Sequence, residues 1–381
     1  MGTGVTRVLF AGGGTGGHLY PALALASALE SLRPGIEVHF VGASRGVESR
    51  VLPARGVAHT LLPLEPIRRD RVHQNWRLVP SAFRTIRGLQ ALFRRFRPDL
   101  VVGTGGYASG PVGAWAILHR IPLAIQEQNS YPGLTTRWLA RFADQVHLGF
   151  PEAENHLRPG KKTRVFALGN PIAPPDRSLD RAESRRAFGL REDGVVGLVV
   201  GGSQVALAIN EALVSALVGV AEGRLEGRPD GLEILWATGP AHIEGVRERL
   251  AGLGVEDWVH PVGYIEDMPR ALAAADLAVS RAGAMATAEL LAWGIPMILV
   301  PLPTAAANHQ AHNAESLEGA GAALCLPQAE MTPARLWNEI RLLAGDAPRR
   351  GEMAERALSR AHPNAAREIA ERMLVLLEAG A

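Results

Sequence analysis

Short apolar runs alternate with amphipathic segments along the whole chain, and this alternation limits the fold more than any other feature. The first half contains predicted strands at residues 7–11, 37–41, 100–103, 122–126, 146–150 and 164–168. The second half contains predicted strands at residues 195–200, 233–237, 258–262, 277–280, 297–300 and 322–326. Strands separated by helical segments are typical of parallel sheets covered on both faces. The sequence predicts an α/β fold of two Rossmann-like doubly wound domains facing a cleft.

Chain length and one irregular stretch predict where the domains meet. At 381 residues the chain exceeds the usual size of a single hydrophobic core. Residues 172–183, IAPPDRSLDRAE, are rich in proline and charge and are typical of a linker. We expect an N-terminal domain at 1–169 and a C-terminal domain at 170–381, with the last helices packing back toward the first domain.

Composition excludes several classes of protein. Apolar residues make up 47% of the chain and charged residues 20%, which is typical of a globular rather than a disordered protein. The single cysteine, Cys325, excludes an internal disulfide and fits a reducing compartment. No apolar run reaches the length of about 18 residues that spans a bilayer, and the N-terminus lacks a signal-peptide pattern. These features predict a cytoplasmic protein that is soluble or bound at a membrane surface.

Glycine-rich and polar stretches follow the predicted strands in both halves. Ligands of doubly wound sheets bind outside the carboxyl ends of the strands, so these stretches are the candidate binding loops. They are GGGTGGH at 12–18, GTGGYASG at 103–110, QEQN at 126–129, GGSQ at 201–204, GYIED at 263–267 and the long stretch at 280–313. Two sets of such loops facing each other predict a cleft for two substrates.

Residues 280–313 combine a strand end, a glycine turn and a helix that begins near Ala284. We expect Gly283 to supply backbone angles that other residues avoid, and the helix start to bind an anion. Glu289 lies in an otherwise apolar part of this helix, so its carboxylate must be solvated or hydrogen-bonded. A carboxylate accepts two hydroxyl donors, as at a ribose. The alternative is an ordinary strand-to-helix turn with a solvated glutamate.

The first glycine loop, GGGTGGH, is similar to a dinucleotide fingerprint, but no acid ends the second predicted strand where a ribose would need one. His18 begins the helix after this loop, where the helix dipole disfavours an imidazolium. A neutral imidazole accepts a proton from a hydroxyl near pH 7. His18 is therefore a candidate base, and the alternative is a histidine that caps its own helix.

Residues 68–97 carry a strong local charge, with nine arginines and one acid, Asp70. The arginines are Arg68, Arg69, Arg71, Arg77, Arg84, Arg87, Arg94, Arg95 and Arg97. The apolar face of the predicted helix consists of Trp76, Val79, Phe83, Ile86, Leu89, Phe93 and Phe96. A basic amphipathic helix is typical of binding to anionic lipid, at about 1 kcal/mol per cation. The alternative is a core-packed helix with solvated arginines, and the missing aromatic platform disfavours RNA binding.

Eight ordered motifs extend over essentially the whole chain. They are GGGTGGH, GTGGYASGP, QEQN, GNP, GGSQ, GYIEDM, SRAGAMATAELLAWGIPMILVP and NHQAHNA. In order and spacing they closely resemble the MurG-type glycosyltransferases, which have a GT-B type fold. The resemblance implies transfer of N-acetylglucosamine, with inversion, from UDP-N-acetylglucosamine to the C4 hydroxyl of undecaprenyl-diphospho-N-acetylmuramoyl-pentapeptide. It places the protein peripherally on the cytoplasmic face of the bacterial cell membrane, with other cell-wall synthesis proteins as potential partners and no nucleic acid.

The resemblance also implies roles for individual residues of the second domain, which would bind the donor. Ser203 and Gln204 would contact the diphosphate, and Ile265 would contact the uracil through its backbone. The nucleotide would be lined by Ala284, Met285, Ala286, Thr287, Ala288 and Glu289, with Glu289 on the ribose hydroxyls. His309 and Gln310 would hold hydroxyls of the sugar.

For the first domain, the resemblance implies contacts with the donor sugar, the acceptor and the membrane. Thr15, Gly16, Gly17 and Asn129 would approach the sugar and its phosphate, and His18 would be the catalytic base. The acceptor diphosphate would lie near Gly105, Gly106, Tyr107 and Ser109. The membrane-associating residues would be Trp76, Arg77, Phe83, Arg84, Arg87 and Trp115.

Two positions depart from the family's pattern. Val205 stands where the family usually has a glycine, and a β-branched side chain there crowds the backbone beside the diphosphate. Ala173 stands where the family usually has an arginine, so a strong phosphate contact is missing. Donor affinity is weaker than usual unless another basic group substitutes.

No Asp-x-Asp sequence occurs in the chain, which argues against a metal-dependent diphosphate site. We expect no required cofactor and no metal-binding residue, although a loosely bound magnesium ion is compatible with the sequence. Three functions are alternatives to the transferase: a UDP-N-acetylglucosamine epimerase of similar fold, an NAD-dependent dehydrogenase, and a nucleotide-sugar-binding subunit without catalysis. The dehydrogenase is disfavoured by the missing ribose acid, and the epimerase by the basic amphipathic segment.

Overall fold

The computed structural model describes residues 5–65, 76, 79–201 and 207–379. The chain divides into two compact units. The first unit consists of Met1–Ala173 together with His362–Ala381, and the second consists of Pro174–Ala361. The chain thus changes unit after Ala173, four residues beyond the predicted boundary at residue 169, and its last helix belongs to the first unit.

Thirteen strands and fourteen α-helices lie within the described ranges. The strands are β1 (Arg7–Ala11), β2 (Glu37–Ala43), β3 (His59–Leu62), β4 (Leu100–Gly103), β5 (Leu123–Glu127), β6 (Gln145–Leu148), β7 (Arg164–Phe166), β8 (Val195–Val200), β9 (Leu232–Ala237), β10 (Val259–Val262), β11 (Leu277–Ser280), β12 (Met297–Leu299) and β13 (Ala323–Cys325). The helices are α1 (Gly16–Leu32), α2 (Glu48–Ala54), α3 (Val79–Phe96), α4 (Gly106–Leu118), α5 (Leu134–Leu139), α6 (Arg181–Ala187), α7 (Leu207–Ala221), α8 (Ile243–Leu250), α9 (Met268–Ala274), α10 (Ala284–Trp293), α11 (His309–Gly319), α12 (Pro333–Gly345), α13 (Ala347–Arg360) and α14 (Ala365–Ala379).

The first unit contains a seven-stranded sheet in the order β3-β2-β1-β4-β5-β6-β7, and all its pairings are parallel. Apolar side chains from α3, α4 and α5 form one core cluster with alternate strand residues such as Leu9 and Val101. Residues of α1 and α14 form a second cluster with the intervening positions, such as Phe10 and Val102. Helices therefore cover both faces of the sheet, which is why its central strands are continuously apolar.

The second unit contains a six-stranded parallel sheet in the order β10-β9-β8-β11-β12-β13. Its largest core cluster joins α7, α8 and α12 to the strands and includes Trp236 and Trp337, both almost completely buried. Asn210 of α7 accepts a hydrogen bond from the indole N–H of Trp236 at 3.0 Å and donates to the carbonyl of Thr238 at 2.7 Å. A buried indole donor is thereby satisfied, as burial requires.

The fold class predicted from the sequence is confirmed, since both units are parallel α/β sheets and every predicted strand coincides with or overlaps an observed one. One observed strand, β3 at His59–Leu62, was not predicted from the sequence. It lies at the edge of its sheet and only Leu62 is fully buried, so its residues do not form the apolar run that marks a central strand.

Candidate active site

The order of strands in each sheet reverses direction at one point, and ligands of doubly wound sheets bind in the crevice at that point. In the first unit it lies between β1 and β4, where Ala11 pairs with Gly103. In the second unit it lies between β8 and β11, where Val200 pairs with Ser280. The candidate loops GGGTGGH, GTGGYASG, GGSQ and SRAGA follow these four strands. Each sheet thus places the strand ends from which two of them start side by side.

Three helices begin at these points, namely α1, α4 and α10. Their N-cap residues are Thr15, Gly105 and Gly283, and none of the three bonds the helix backbone with a side chain. By contrast, Asp267 caps α9 by accepting from the N–H of Arg270, and Thr332 caps α12 by accepting from the N–H of Arg335. Helix starts without a side-chain cap present N–H groups and the positive end of the dipole to an anion.

His18 lies in the first turn of α1. Its Nδ1 is 3.1 Å from the hydroxyl of Thr15, so the N-cap side chain contacts the imidazole rather than the helix backbone. The ring also lies against the second glycine loop, because a Cβ at Gly105 would stand 2.6 Å from its Cδ2, and one at Gly106 would stand 3.3 Å from its Nδ1. Both glycines have positive φ, 94° and 75°, which larger residues avoid. The structure thus brings together the predicted base and the predicted acceptor loop.

Ser109 and Tyr107 differ in what they offer a ligand. The Ser109 hydroxyl is buried, accepts from the N–H of Gly105 at 3.0 Å, and lies within hydrogen-bond distance of the carbonyls of Ala11 and Gly105. Ser109 therefore holds the loop in place from beneath and does not face solvent. Tyr107 is half-buried, its ring lies against Gly14, and its pKa is raised by burial and by the nearby charge of Glu48.

Asn129 ends the QEQN segment, which a buried carboxylate organises. Glu127 is 3% exposed and accepts from the backbone N–H and the side-chain amide of Asn129 at 3.1 and 3.2 Å. It also accepts from the N–H of Gly133 at 3.1 Å. The predicted sugar contact through Asn129 stays a prediction, and the structure shows what fixes its side chain.

Glu48 is a functional candidate that the sequence analysis missed. It is completely buried, and its carboxylate accepts from the N–H of Gly14 at 2.9 Å and from that of Ala43 at 2.8 Å. The sequence contains this acid five residues after the end of β2, but a ribose-binding acid was expected at the strand end itself. Its contact with the first glycine loop spans 34 residues of sequence and could not be inferred from spacing.

The turn before α10 differs from its prediction. Gly283 has φ −71° and ψ 131°, so the turn uses ordinary extended backbone, and the expectation of an unusual glycine conformation was wrong. A Cβ at this position would meet nothing within 4 Å among the described atoms. The neighbouring loop at 202–206 lies outside the described residues, and with it the predicted contacts of Ser203 and Gln204 and the departure at Val205.

Glu289 lies one and a half turns into α10. Its side chain is partly buried, and within the described ranges it forms no hydrogen bond or ion pair. Burial raises its pKa above the ordinary value of 4.5, because a carboxylate loses hydration there. A carboxylate held without a protein donor is available to accept hydroxyl groups from a ligand.

The other predicted residues of α10 differ in exposure. Thr287 and Ala284 are buried, and the Thr287 hydroxyl lies 3.1 Å from the carbonyls of Gly283 and Ala284, so its side chain bonds its own helix. Met285, Ala286 and Ala288 are partly exposed. Ile265 as a whole is 3% exposed, and its predicted backbone contact with uracil stays a prediction.

Two residues of the second unit gain a role that the sequence did not indicate. Arg281 is 6% exposed and donates to the carbonyls of Val300 and Pro301 at 3.1 and 3.4 Å, while its Nε has no partner among the described atoms. Burial lowers the pKa of its guanidinium. Asn313 is completely buried and donates to the carbonyl of Ala282 at 3.1 Å. Arg281 thus ties the turn before α10 to the loop after β12, and Asn313 ties the same turn to α11.

Residues 301–308 form the loop after β12. Gln310 accepts a hydrogen bond from the N–H of Leu302 at 2.9 Å, so its carbonyl oxygen is used by the protein and its amide remains as a donor for a ligand. The Nδ1 of His309 bonds the carbonyl of Ala306 at 2.7 Å. Ala307 and Asn308 both have positive φ, 51° and 56°. Non-glycine residues in this conformation store strain, which is common at ligand-binding loops.

The arginine-rich segment is described from residue 79 onward and at Trp76, so Arg77 and the arginines at 68, 69 and 71 lie outside the described residues. The apolar face of α3 is buried only in its C-terminal part. Leu89 and Phe93 are in the core, whereas Phe83 and Ile86 are 54% and 50% exposed. Arg84 and Arg87 are exposed. Partial core packing, one of the alternatives considered above, therefore holds for the C-terminal part of the helix.

Trp115 of α4 stacks on His119 with ring centroids 4.8 Å apart, and lies 6.3 Å from the ring of Phe93. It is therefore partly packed against α3 rather than projecting freely.

Among the described residues, no helix has the length and apolar character to cross a membrane. Over the same ranges, no group of three or more His, Cys, Asp or Glu side chains is placed to hold a metal ion.

Comparison with known proteins identifies both halves of the chain. Residues 8–148 match the glycosyltransferase family 28 N-terminal domain, and residues 196–373 match the glycosyltransferase family 28 C-terminal domain. A protein of Moorella thermoacetica is 39% identical over 98% of this chain and 100% of its own length. A protein of Salinibacter ruber is 42% identical over 99% of both chains. Both are named UDP-N-acetylglucosamine–N-acetylmuramyl-(pentapeptide) pyrophosphoryl-undecaprenol N-acetylglucosamine transferase.

Solved structures agree with these relatives. Acinetobacter baumannii MurG is 29% identical, with a TM-score of 0.76 over 97% of this chain and 99% of that chain. A UDP-N-acetylglucosamine 2-epimerase described as putative, from Listeria monocytogenes, has a TM-score of 0.66 at 17% identity over 98% of this chain and 97% of that chain. The second likeness shows only a shared fold.

The raised pKa of Glu289 predicts a dependence of stability on pH. Below 4.5 the carboxyl is protonated in the folded and unfolded chain, and its burial has no charge penalty. As the pH rises through 4.5 toward the raised folded value, the unfolded chain ionises first and stability is lost. Glu289→Gln should therefore stabilise the second unit at pH 7 and leave it unchanged at pH 4, measured by urea denaturation. The matched control is Glu355→Gln, at an exposed position of α13. An equal effect of both variants at both pH values would contradict the assignment.

Proposed function

The chain belongs to the MurG-type N-acetylglucosamine transferases of glycosyltransferase family 28, and from this membership we propose its reaction. It transfers N-acetylglucosamine from UDP-N-acetylglucosamine to the C4 hydroxyl of undecaprenyl-diphospho-N-acetylmuramoyl-pentapeptide, with inversion at the sugar carbon. The product is the lipid-linked disaccharide from which peptidoglycan is built. The observation that carries this proposal is the similarity of about 40% over nearly the whole length to transferases of that name.

We propose that the second unit binds the donor at its switch point. The carboxylate of Glu289 takes the ribose hydroxyls, since it is held without a protein donor among the described residues. The start of α10 faces the diphosphate, together with Ser203 and Gln204, which follow β8 in the sequence. Ile265 contacts the uracil through its backbone, and the Gln310 amide donates to a sugar hydroxyl, which agrees with the use of its carbonyl oxygen by Leu302.

The proposed base is His18 in the first unit. In the tautomer whose Nδ1–H donates to Thr15 Oγ1, Nε2 carries the lone pair that accepts the proton of the acceptor hydroxyl. The oxygen then attacks the anomeric carbon as UDP departs from the opposite face, and positive charge develops on the sugar ring. The loop at Gly105 and Gly106, which touches the His18 ring, is the proposed position of the acceptor diphosphate.

The departing UDP gains negative charge, and fixed groups of the second unit stabilise it. N–H groups at the start of α10 and the helix dipole act at the place where the charge develops. The Arg281 guanidinium adds a buried positive charge behind the same turn. This charge belongs to the protein itself, so the proposal needs no cofactor for the departure of UDP.

We propose that the protein works at the cytoplasmic face of the cell membrane through the outer side of the layer formed by α3, α4 and α5. Phe83 and Ile86 of α3 are exposed, as are Leu118 at 72%, Trp138 at 45% and Phe142 at 53%. The core residues of all three helices lie in one cluster on one face of the sheet, so their outer sides share a surface. Exposed aromatic and basic groups together favour an anionic lipid surface.

The transfer reaction is tested by incubating the protein with labelled UDP-N-acetylglucosamine and the lipid-linked muramoyl acceptor. The expected result is labelled lipid-linked disaccharide that forms only when both substrates are present. A sugar epimerised at C2 in the absence of acceptor would favour the epimerase, whose fold this chain shares. Donor binding without turnover would favour a non-catalytic subunit.

The role of His18 predicts a large loss of turnover without a loss of donor binding. His18→Ala should lower kcat by about 100-fold or more, the usual contribution of a general base, and leave UDP affinity within about twofold. The matched control is His59→Ala, whose imidazole on β3 bonds the carbonyl of Val57. A kcat of His18→Ala within a few-fold of wild type would remove it from the role of base.

The membrane surface predicts a salt-dependent loss of binding when its arginines are removed. Arg84→Ala with Arg87→Ala should weaken binding to vesicles of anionic lipid by about 2 kcal/mol at low salt, at about 1 kcal/mol for each cation. A flotation assay measures the bound fraction. The control pair, Arg247→Ala with Arg249→Ala on α8, removes the same charge from the second unit. Equal losses for both pairs would contradict a defined surface and indicate a net-charge effect.

A further inference from the structure

Glu48 is a completely buried carboxylate outside the residues to which the sequence motifs assign a role. It begins α2, directly after the loop that follows β2. Its three short contacts are with backbone N–H groups: Oε1 accepts from Ala43 at 2.8 Å, and Oε1 and Oε2 share the N–H of Gly14 at 3.1 and 2.9 Å. Within the described ranges it forms no ion pair. A buried carboxylate without a cation is costly to the fold, so its presence requires a reason.

The surrounding backbone is shaped to admit this carboxylate. Glycines from three segments line it, and a Cβ at any of them would lie within 2.3 Å of a Glu48 atom. The distances are 2.2 Å from Gly13 to Oε1, 2.3 Å from Gly42 to Cγ and 2.2 Å from Gly46 to Oε2. While Glu48 occupies this position, a Cβ at any of the three glycines would overlap with it, so the glycines leave the space that the Glu48 side chain fills.

Glu48 reaches the catalytic segment through Gly14. That residue has a φ of +93° and is held from one side by the carboxylate and from the other by the Tyr107 ring, since a Cβ there would lie 2.6 Å from Tyr107 Cε1. The next residue is Thr15, whose hydroxyl contacts His18 Nδ1 at 3.1 Å. The orientation of the peptide at Gly14 therefore determines where Thr15 and the imidazole stand.

We propose that Glu48 is a positioning residue for the transfer reaction: it clamps the N–H of Gly14 and thereby aligns Thr15 and His18 with the acceptor hydroxyl. This inference rests on the proposed function of His18 as base. A carboxylate suits the task because it only accepts hydrogen bonds and has two oxygens, which serve the two loops that meet at this point. The charge-assisted bonds to backbone N–H groups are stronger than bonds to a neutral amide.

The test is a double-mutant cycle with Glu48→Gln, which preserves the shape but replaces one acceptor oxygen with a donor. With wild-type His18, Glu48→Gln should lower kcat by about 10- to 100-fold, because a displacement of about 1 Å at a reacting group has that effect. The affinity for UDP should change by less than about threefold, since the proposed contacts with its uracil and ribose lie in the second unit. With His18→Ala already present, Glu48→Gln should lower kcat by less than about threefold, because the group it positions is gone.

A second readout does not depend on turnover. Amide hydrogen exchange of the segment at 12–15 should be faster in Glu48→Gln than in wild type, whereas the later turns of α1 keep their protection. The matched control is Glu233→Gln, which alters another buried carboxylate, one that accepts from the N–H of Arg191 at 2.7 Å and bonds His260 at 3.0 Å. It should retain wild-type kcat and wild-type exchange at 12–15. Should Glu48→Gln fail to fold, Glu48→Asp, which keeps the charge but shortens the reach, enters the same measurements.

Equal losses of kcat in the wild-type and His18→Ala backgrounds would overturn the proposal, as would a folded Glu48→Gln with kcat within twofold of wild type. Unchanged exchange at 12–15 would overturn it on structural grounds. If the wild-type protein formed no lipid-linked disaccharide in the transfer assay, the proposed function would fail. The exchange measurement would still decide whether Glu48 holds the loop.

Discussion

Parallel pairing of β1 with β4 and of β8 with β11 is the constraint on which the rest of the structure depends. At each pairing the chain turns outward on opposite sides, so the two adjacent loops leave a gap at the carboxyl edge of the sheet. Helix starts without side-chain caps, at Gly105 and Gly283, line these gaps. The geometry of strand order thus creates a polar site in each unit before any particular side chain is considered.

Buried charged side chains then fix the loops around these gaps. Glu48 holds the first glycine loop, Glu127 holds the segment that ends in Asn129, and Arg281 joins the turn before α10 to the loop after β12. Each of these groups bonds mainly backbone, and burial of a charge opposes folding unless its bonds compensate. Their common effect is to exchange some stability for loops with a defined shape, as expected where a reaction requires groups held in fixed positions.

Much of this fold could be predicted from the sequence, because strands buried on both faces are apolar runs and their ends are marked by glycine. The edge strand His59–Leu62 was missed because it is only half-buried. The order of the motifs placed His18, Glu289 and Gln310 after strand ends, and the structure has them in the helices that follow β1, β11 and β12. The clamp at Glu48 could not, because it depends on tertiary contact between segments 34 residues apart. Gly283 shows the opposite error, since a glycine in a turn does not require an unusual conformation.

The central claim is that the second unit holds the nucleotide at its switch point, beside Glu289. The most direct measurement is a crystal structure of the protein with UDP. The account predicts that both ribose hydroxyls lie within hydrogen-bond distance of the Glu289 carboxylate and that the diphosphate faces the start of α10. Nucleotide bound at the glycine loop of the first unit, or a ribose remote from Glu289, would contradict it.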